Sequence, residues 1–459
     1  MANVNEPIDG AELEDIPSEE EQLRRYGEMG GFSRTFGLFF QKIGLGAPYI
    51  PRADQMKVFW LVGAAIMVNH YDLGILSLAL PRIQADLAIT DAQSAEMMSL
   101  LKMGILGSFL IALMADKMGR RRLLMLTIIG TALSTFATAF AQTQDQFVAL
   151  QFLARCFSYT EDILCFVVIA EVMDARLRGW AVGALAALGA AGHGLAGIVY
   201  SGIDFLPNDW RDMYLIGAGP MLLLAWLRRS LEETDRFKTQ KAAAKTESAI
   251  KSALRPAINL ITAYPGRMLI ICAAIFPFSF GVTGALIFMP KFLQDVHAFS
   301  PQAVAALFLT AGFVSVSGSL LAGRLSDRFG RRTVLTTGAL MCTGAMAFFY
   351  TLADGPLIVA SWMAGLFGFF AAQACLATMG AELFPTSYRS TASSVRGIVS
   401  AIGGVLGMKV IAMLDGVTAD FATATILPIL AAPLCALVVL IFVQETAGRS
   451  LEDISPEKG

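Results

Sequence analysis

The sequence is poor in the residues on which most soluble enzymes and metal proteins depend. Only 16% of its 459 residues are charged, and it contains 3 histidines and 6 cysteines. All six cysteines lie inside apolar runs without the spacing of a metal site, so neither a metal centre nor a disulfide framework is predicted. The sequence also lacks a nucleotide-binding loop and a nucleophile constellation. We therefore expect no cofactor, no metal and no enzymatic activity.

Long apolar runs are what the chain does have. Hydrophobic residues make up 55% of it and its mean hydropathy is +0.60, which is too apolar for an ordinary soluble globule. A membrane-spanning helix needs about 20 apolar residues. Runs of this kind lie at 57–80, 95–115, 122–141, 147–170, 180–203, 213–228, 267–290, 302–323, 333–352, 356–380, 391–414 and 422–443. They predict an all-α membrane protein with twelve transmembrane helices, six in each half of the chain.

The apolar runs divide the chain into predicted regions, and the basic residues predict which loops face the cytoplasm. Lys and Arg concentrate in alternate loops, Arg228 among them, which predicts that both termini are cytoplasmic. Phe32 to Ile43 have the spacing of an interfacial amphipathic helix. The regions are an N-terminal tail 1–56, a bundle 57–228, a cytoplasmic linker 229–266, a second bundle 267–443 and a C-terminal tail 444–459.

Two charged motifs occur once in each half, at the same offset along the chain. Asp116-Lys-Met-Gly-Arg-Arg recurs as Asp327-Arg-Phe-Gly-Arg-Arg, and Glu171 with Arg178 recurs as Glu382 with Arg389. Such a duplication predicts two bundles related by pseudo-two-fold symmetry, an architecture typical of transporters. The spacing from Gly323 to Arg332 resembles the cytoplasmic loop signature of the major facilitator superfamily.

The resemblance implies a role for the duplicated charges. In that superfamily they form a network that holds the cytoplasmic gate shut between the halves; the alternative is that they only set topology and are solvated. The predicted gating residues are Asp116, Arg120, Arg121, Glu171, Arg178, Asp327, Arg331, Arg332, Glu382 and Arg389.

Ionisable residues inside the predicted spans are functional candidates, because each costs several kcal/mol unless it is paired or hydrated. Asp72 and Arg155 lie at similar depth on the first and fourth helices, so they can pair. Asp162 shares the helix face of Arg155, whereas Glu161 points elsewhere. These four residues are the predicted proton-coupling group, and the alternative is a static polar network.

The resemblance to the superfamily supports the assignment of Asp72 and Glu161 but not that of Arg155. Tyr71-Asp72 resembles the proton-coupling aspartate of sugar and organic-anion porters, and Glu161 matches an acidic position of the organic-anion and synaptic-vesicle-protein-like branches. The arginine position of those relatives is occupied here by Gln151, one turn before Arg155. In the second half the counterparts of Asp72, Arg155 and Glu161 are Thr283, Leu366 and Ala372, so the proposed proton chemistry is confined to the first half.

The predicted substrate-binding residues are Arg155, His193, Gln373 and Arg396. His193 is equally suited to an interhelical hydrogen bond, and Arg396 to reaching the membrane surface. The cationic bias favours an organic anion, since guanidinium groups match carboxylates.

The resemblance implies proton-coupled symport of a small organic anion, such as a monocarboxylate or aromatic acid, by rocker-switch alternating access. A sugar–proton symporter, a drug–proton antiporter and a non-transporting sensor are the alternatives. The expected partners are a small-molecule substrate, protons and the lipid bilayer, without nucleic acid. We expect a monomer with many spans in a plasma membrane of the bacterial inner-membrane type.

Overall fold

The computed structural model describes residues 24–25, 47, 49–112, 120–174, 177–230, 249–351, 354–385 and 388–447. Within these ranges the secondary structure is helical and contains no strand. The amphipathic helix predicted around Phe32, the residue Asp116, the middle of the linker and the last twelve residues lie outside the described residues.

The described residues of the first half form eight α-helices. They are α1 (Ala53–Leu78), α2 (Leu80–Leu87), α3 (Asp91–Lys102), α4 (Gly104–Ala112), α5 (Arg120–Thr138), α6 (Gln144–Val172), α7 (Arg178–Ser201) and α8 (Trp210–Leu227). Hydroxyl side chains mark several helix starts, as expected for N-caps. Thr90 and Gln93 form a capping box at α3, and Thr143 accepts a hydrogen bond from the backbone of Gln146 at α6.

The second half repeats this plan. Its helices are α9 (Ala249–Ala263), α10 (Pro265–Asp295), α11 (Pro301–Phe329), α12 (Arg331–Thr351), α13 (Pro356–Glu382), α14 (Arg389–Asp415), α15 (Phe421–Ile429) and α16 (Pro433–Phe442). A proline in the first turn begins α10, α11, α13 and α16, where its missing N–H costs no hydrogen bond.

Nine stretches of the described residues are long and apolar enough to span a membrane, counting α3 with α4 and α15 with α16 as one stretch each. Three further helices, α5, α6 and α8, complete the twelve that the sequence predicts. They are more polar: α5 starts with three arginines, α6 carries Arg155, Glu161 and Asp162, and α8 starts with Trp-Arg-Asp. Arg155 and Glu161 of α6 are buried inside the protein.

Equivalent helix pairs hold each half together. In the first half α1 packs on α7, and in the second half α10 packs on α14. Glycines allow the close approach in both. A Cβ at Gly192 of α7 would stand 2.0 Å from the Met67 carbonyl oxygen, and one at Gly407 of α14 would stand 1.9 Å from the Phe280 carbonyl oxygen. The halves meet where α3 packs on α14 and α7 on α11.

We call the two ends of the bundle the signature face and the far face. The signature face is where α11 ends and α12 begins, and where α7 and α14 begin; the far face is where α1, α7 and α10 end. Hydrogen bonds join the halves at the far face. Ser77 donates to the Ile287 carbonyl oxygen at 2.7 Å, Gln294 donates to the Leu78 carbonyl oxygen at 3.0 Å, and Lys291 lies 2.9 Å from the Asp91 carboxylate.

Candidate functional site

A buried ion pair joins α1 to α6. Arg155 Nη1 lies 2.9 Å from Asp72 Oδ2, and neither side chain is more than 1% exposed. Arg155 also donates to Gln151 Oε1 at 2.9 Å, while Thr135 of α5 donates to Asp72 Oδ1 at 3.3 Å. The structure therefore brings together the two residues that helix depth predicts to be neighbours. Gln151, one turn before Arg155, serves here as a hydrogen-bond acceptor for Arg155.

A glycine directly after the break between α3 and α4 leaves space for Arg155. The helix is interrupted at Met103, and Gly104 follows. A Cβ at Gly104 would stand 2.7 Å from the Arg155 Cβ. Glycine is therefore required for the approach of α4 to α6 at the depth of the ion pair.

Asp162 lies in a second polar cluster with two histidines. Its carboxylate is 3.5 Å from His70 Nε2 and accepts a hydrogen bond from Asn69 at 3.2 Å. The rings of His70 and His193 meet edge to face with centroids 5.1 Å apart. His193 Nδ1 is also 3.3 Å from the Gly189 carbonyl oxygen, one turn back on α7. The hydrogen bond of His193 thus stays within its own helix, and its contact with α1 is a ring contact. Its role in substrate binding stays a prediction.

Glu161 pairs with a different cation from the one that pairs with Asp72. It forms an ion pair with Arg228, and both side chains are fully buried. Thr127 donates a further hydrogen bond to Glu161, and Arg228 donates to the Leu61 carbonyl oxygen at 3.2 Å. Sequence reasoning missed Arg228, because a basic residue directly after an apolar run resembles an ordinary topology signal. The role of Glu161 in proton coupling stays a prediction.

A central cavity of about 950 Å³ lies between the halves. It reaches the signature face, since Gly179 and Trp180 in the first turn of α7 line it. The ionisable side chains in its wall are Lys102, Arg155, Tyr159, His70 and His193. Aspartate and glutamate do not occur among the lining residues that the structure describes. The cavity wall therefore offers cations without a carboxylate of its own.

Aromatic side chains cover much of the remaining wall. They belong to α6, α7, α11 and α13 and are Tyr159, Trp180, Phe308, Trp362, Phe369 and Phe370. This apolar lining suits the body of a ligand whose polar group is met by a few well-placed side chains.

Two of the four predicted substrate-binding residues line the cavity, Arg155 and His193. Gln373 and Arg396 are not part of the described lining. Both are half-buried, and the Arg396 side chain passes Gly380 of α13, where a Cβ would lie 3.4 Å from its Cδ. Their contact with substrate stays a prediction. Lys102 is a lining cation that sequence reasoning did not select, because one lysine within an apolar run is usually explained by snorkelling.

The signature arginines make the same contact in each half. Arg178 Nε donates to the Met173 carbonyl oxygen at 3.1 Å, and Arg389 Nε donates to the Phe384 carbonyl oxygen at 3.3 Å. Arg121 donates to the Arg229 carbonyl oxygen at 2.7 Å. Each of these bonds stays within its own half. Arg120 begins α5, and its side chain lies outside the described residues, as does Asp116.

In the second half the signature charges form a local network. Arg331 forms ion pairs with Glu382 and, at 3.5 Å, with Asp327, and Arg332 donates to the Leu440 carbonyl oxygen. Glu445, which follows α16, accepts hydrogen bonds from the backbone N–H groups of Arg331 and Arg332 at 2.9 and 3.2 Å. Burial raises the pKa of Glu445, but the backbone N–H groups that bind it outweigh this effect and hold the pKa below its ordinary value.

Gly330 is required at the start of α12. Its φ of +94° lies in the region that other residues avoid. A Cβ there would also stand 2.5 Å from Glu445 Oε2. The glycine of the duplicated motif therefore admits the carboxylate that binds the first turn of α12.

The described residues form twelve spanning stretches in two related halves, and the cavity between the halves reaches one face. This is the architecture of a membrane transporter. The model of the Major Facilitator Superfamily matches residues 62–408, and the chain belongs to that family. The predicted family and fold class are thereby confirmed.

Known relatives cover most of the chain. A probable 4-methylmuconolactone transporter of Cupriavidus pinatubonensis is 26% identical over 415 residues, which are 87% of this chain and 93% of the relative. The cis,cis-muconate transport protein of Acinetobacter baylyi is 25% identical and covers 76% of this chain and 85% of its own length. The crystal structure of a D-xylose–proton symporter has a TM-score of 0.71 at 20% identity, covering 86% of this chain and 99% of that one. This structural likeness applies to the fold.

Proposed function

We propose that the protein is a proton-coupled symporter of a small organic anion. The observation that carries the proposal is the charge of the cavity wall, which contains Lys102 and Arg155 but no carboxylate among its described residues. An anion entering this cavity gains electrostatic attraction, while a cation is repelled. The aromatic wall accommodates an apolar or unsaturated body. The muconate and methylmuconolactone named for the relatives are small compounds of this kind.

The proposed coupling group is the ion pair of Asp72 and Arg155. Ionised Asp72 holds Arg155, and a proton on Asp72 releases it. The freed guanidinium, which already lines the cavity, then binds a substrate carboxylate. Proton and anion thus favour each other's binding, as symport requires. Asp162 with His70 is a second acid–base contact beside the cavity, and its part in coupling remains a proposal.

The two-bundle architecture supports alternating access. We propose that residues 57–228 rock against residues 267–443 around the cavity. The far face is joined across the halves, so the structure corresponds to the state that opens at the signature face. The excess of Lys and Arg at that face supports a cytoplasmic assignment for it and for both termini. The site is contained in one chain, which supports function as a monomer. The bacterial relatives support a location in the inner membrane.

Ligand-dependent thermal stabilisation of the purified full-length protein tests the substrate class. A ligand at 100 times its Kd stabilises the folded state by about 2.7 kcal/mol. Benzoate and cis,cis-muconate are expected to raise the Tm, while D-xylose and the cationic dye ethidium are not. Stabilisation by D-xylose alone would favour the sugar symporter, and stabilisation by ethidium alone the drug antiporter. Uptake of the stabilising anion into proteoliposomes, driven by an inward proton gradient, distinguishes a symporter from a non-transporting sensor.

A further inference from the structure

We propose that Lys102 anchors the substrate carboxylate where the first half meets the second, beside Gly404 and Thr283. This inference rests on the proposed function and names the binding group within that site. It gives the two cations successive roles: Lys102 receives the anion, and Arg155 joins it once protonation of Asp72 releases the guanidinium.

The position of Lys102 sets it apart from Arg155. It is the last residue of α3, directly before the interruption at Met103, and its half-buried side chain lines the cavity. Arg155 is paired with Asp72 and Gln151. The Lys102 ammonium makes no hydrogen bond or ion pair within the part of the chain that the structure describes. An ammonium inside a membrane protein costs several kcal/mol unless it is paired or hydrated, so it attracts an anion from the cavity.

A glycine of the second half makes room for this ammonium. A Cβ at Gly404 of α14 would stand 3.1 Å from Lys102 Nζ and 2.9 Å from Thr283 Oγ1. The ammonium from α3 and the hydroxyl from α10 therefore both lie beside Gly404; Lys102 lines the cavity, and Thr283 is not among its described lining residues. Both can donate a hydrogen bond to a carboxylate oxygen. Thr283 is the counterpart of Asp72 in the duplicated sequence, so the second half presents a hydroxyl where the first half presents an acid.

The subsite spans the boundary between the halves. Lys102 belongs to the first half, whereas Thr283 and Gly404 belong to the second, at the contact between α3 and α14. A carboxylate bound there touches both bundles at once. The aromatic rings of Trp362, Phe369 and Phe370 in the same cavity are available to the body of the ligand. The geometry points to an amphipathic monocarboxylate or dicarboxylate rather than to a neutral polyol.

Calorimetric titration of the purified full-length protein with benzoate, cis,cis-muconate and benzamide tests this assignment. Benzamide is the matched probe, since it keeps the ring and loses the charge. Lys102→Gln is expected to weaken the binding of each carboxylate about tenfold or more, the range for a hydrogen bond to a charged group. The same variant leaves benzamide binding unchanged, and Lys102→Arg keeps most of the affinity for carboxylates.

Gly404→Ala is the second variant, in case Lys102→Gln does not fold. The added Cβ displaces the ammonium without removing its charge, so it is expected to weaken carboxylate binding while gel filtration and circular dichroism remain as in the wild type. Equal carboxylate affinity in the wild type, Lys102→Gln and Gly404→Ala would overturn the role of Lys102 and leave the proposed function intact. Failure of the wild type to bind either carboxylate would instead overturn the proposed function, and this inference with it.

Discussion

Asp72 and Arg155 are buried side chains whose pairing helix geometry predicts. Equal depth on two membrane helices is a property of the sequence, because a helix rises by a fixed distance per residue. The partners of Lys102 and Arg228 could not be predicted in this way. Arg228 reaches Glu161 from the end of α8, which packs on α1 and α5, and Lys102 reaches Gly404 because α3 packs on α14. Those contacts depend on tertiary packing between residues far apart in the chain.

Asp72→Asn is expected to abolish proton-driven accumulation while sparing exchange of substrate across the membrane. Asparagine imitates the protonated acid, so Arg155 is permanently released and no proton is taken up or given off at this position. Uptake of labelled benzoate into proteoliposomes should then fall to the equilibrium level under an imposed pH gradient, with counterflow retained. Asp54→Asn, at the exposed start of the same helix, is the control. Full accumulation by Asp72→Asn would contradict the coupling role.

The helices themselves are the part of the fold that the sequence predicts best. Apolar runs of spanning length, prolines in first turns and hydroxyl caps are local signals, and the predicted spans match α1, α7, α10 and α13 closely. The interruption between α3 and α4 was not predicted. Gly104 looks like other small residues in membrane helices, and its need for a missing Cβ becomes visible only against Arg155.

Gly192→Ala should destabilise the protein, whereas Gly183→Ala on the same helix should not. The new methyl group at position 192 would stand 2.0 Å from the Met67 carbonyl oxygen, and backbone cannot yield cheaply. Overpacking of this kind costs about 1–3 kcal/mol. A Cβ at Gly183 meets nothing within 4 Å, so alanine there stabilises the helix by about 0.5–1 kcal/mol. Thermal unfolding in detergent compares the two variants, and equal Tm values would refute the packing argument.

Glu445→Gln should lower the Tm at neutral pH, because the carboxylate binds the first turn of α12. A negative charge at a helix N-terminus contributes about 0.3–1 kcal/mol. The pKa of Glu445 is lowered in the folded protein, so its contribution is complete above the unfolded-state pKa of about 4.3. It is lost as the pH falls through the lower, folded-state pKa.

Unfolding measured between pH 8 and pH 3 checks this dependence. The Tm difference between the wild type and Glu445→Gln is expected to shrink toward zero in the acid range. Glu96→Gln removes an exposed carboxyl and provides the control, with no comparable difference at neutral pH. A Tm difference that does not shrink as the pH falls would mean that the charge of Glu445 is not what stabilises the helix.

The two halves of the molecule meet around the central cavity. Contacts across the far face hold them together there, while the cavity reaches the signature face. The sequence predicts the family, but it does not predict at which face the halves are joined. That depends on pairs such as Gln294 with Leu78 and Tyr200, which join helices from different halves.

Gln294→Ala is expected to shift the protein toward a state open at the far face, because it removes hydrogen bonds to Leu78 and Tyr200 that join the halves. Spin labels at positions 205 and 417, both strongly exposed, in a background without the native cysteines, report the separation of the halves at that face. Electron–electron double resonance should detect a larger population of long distances. Asn208→Ala removes a side-chain hydrogen bond to Asp212, within the first half, and is the control. An unchanged distance distribution in Gln294→Ala would reject the role of these contacts.

The two signature arginines also show what the two halves have in common. Arg178 with Met173 and Arg389 with Phe384 make one contact twice, at the same offset. Each half therefore anchors the start of its own helix, α7 or α14, at the signature face. The ion pair of Asp72 and Arg155 has no counterpart in the second half, since Thr283 and Leu366 stand at the equivalent positions. The loop anchor is thus common to both halves, whereas this charged pair within the membrane belongs to the first half.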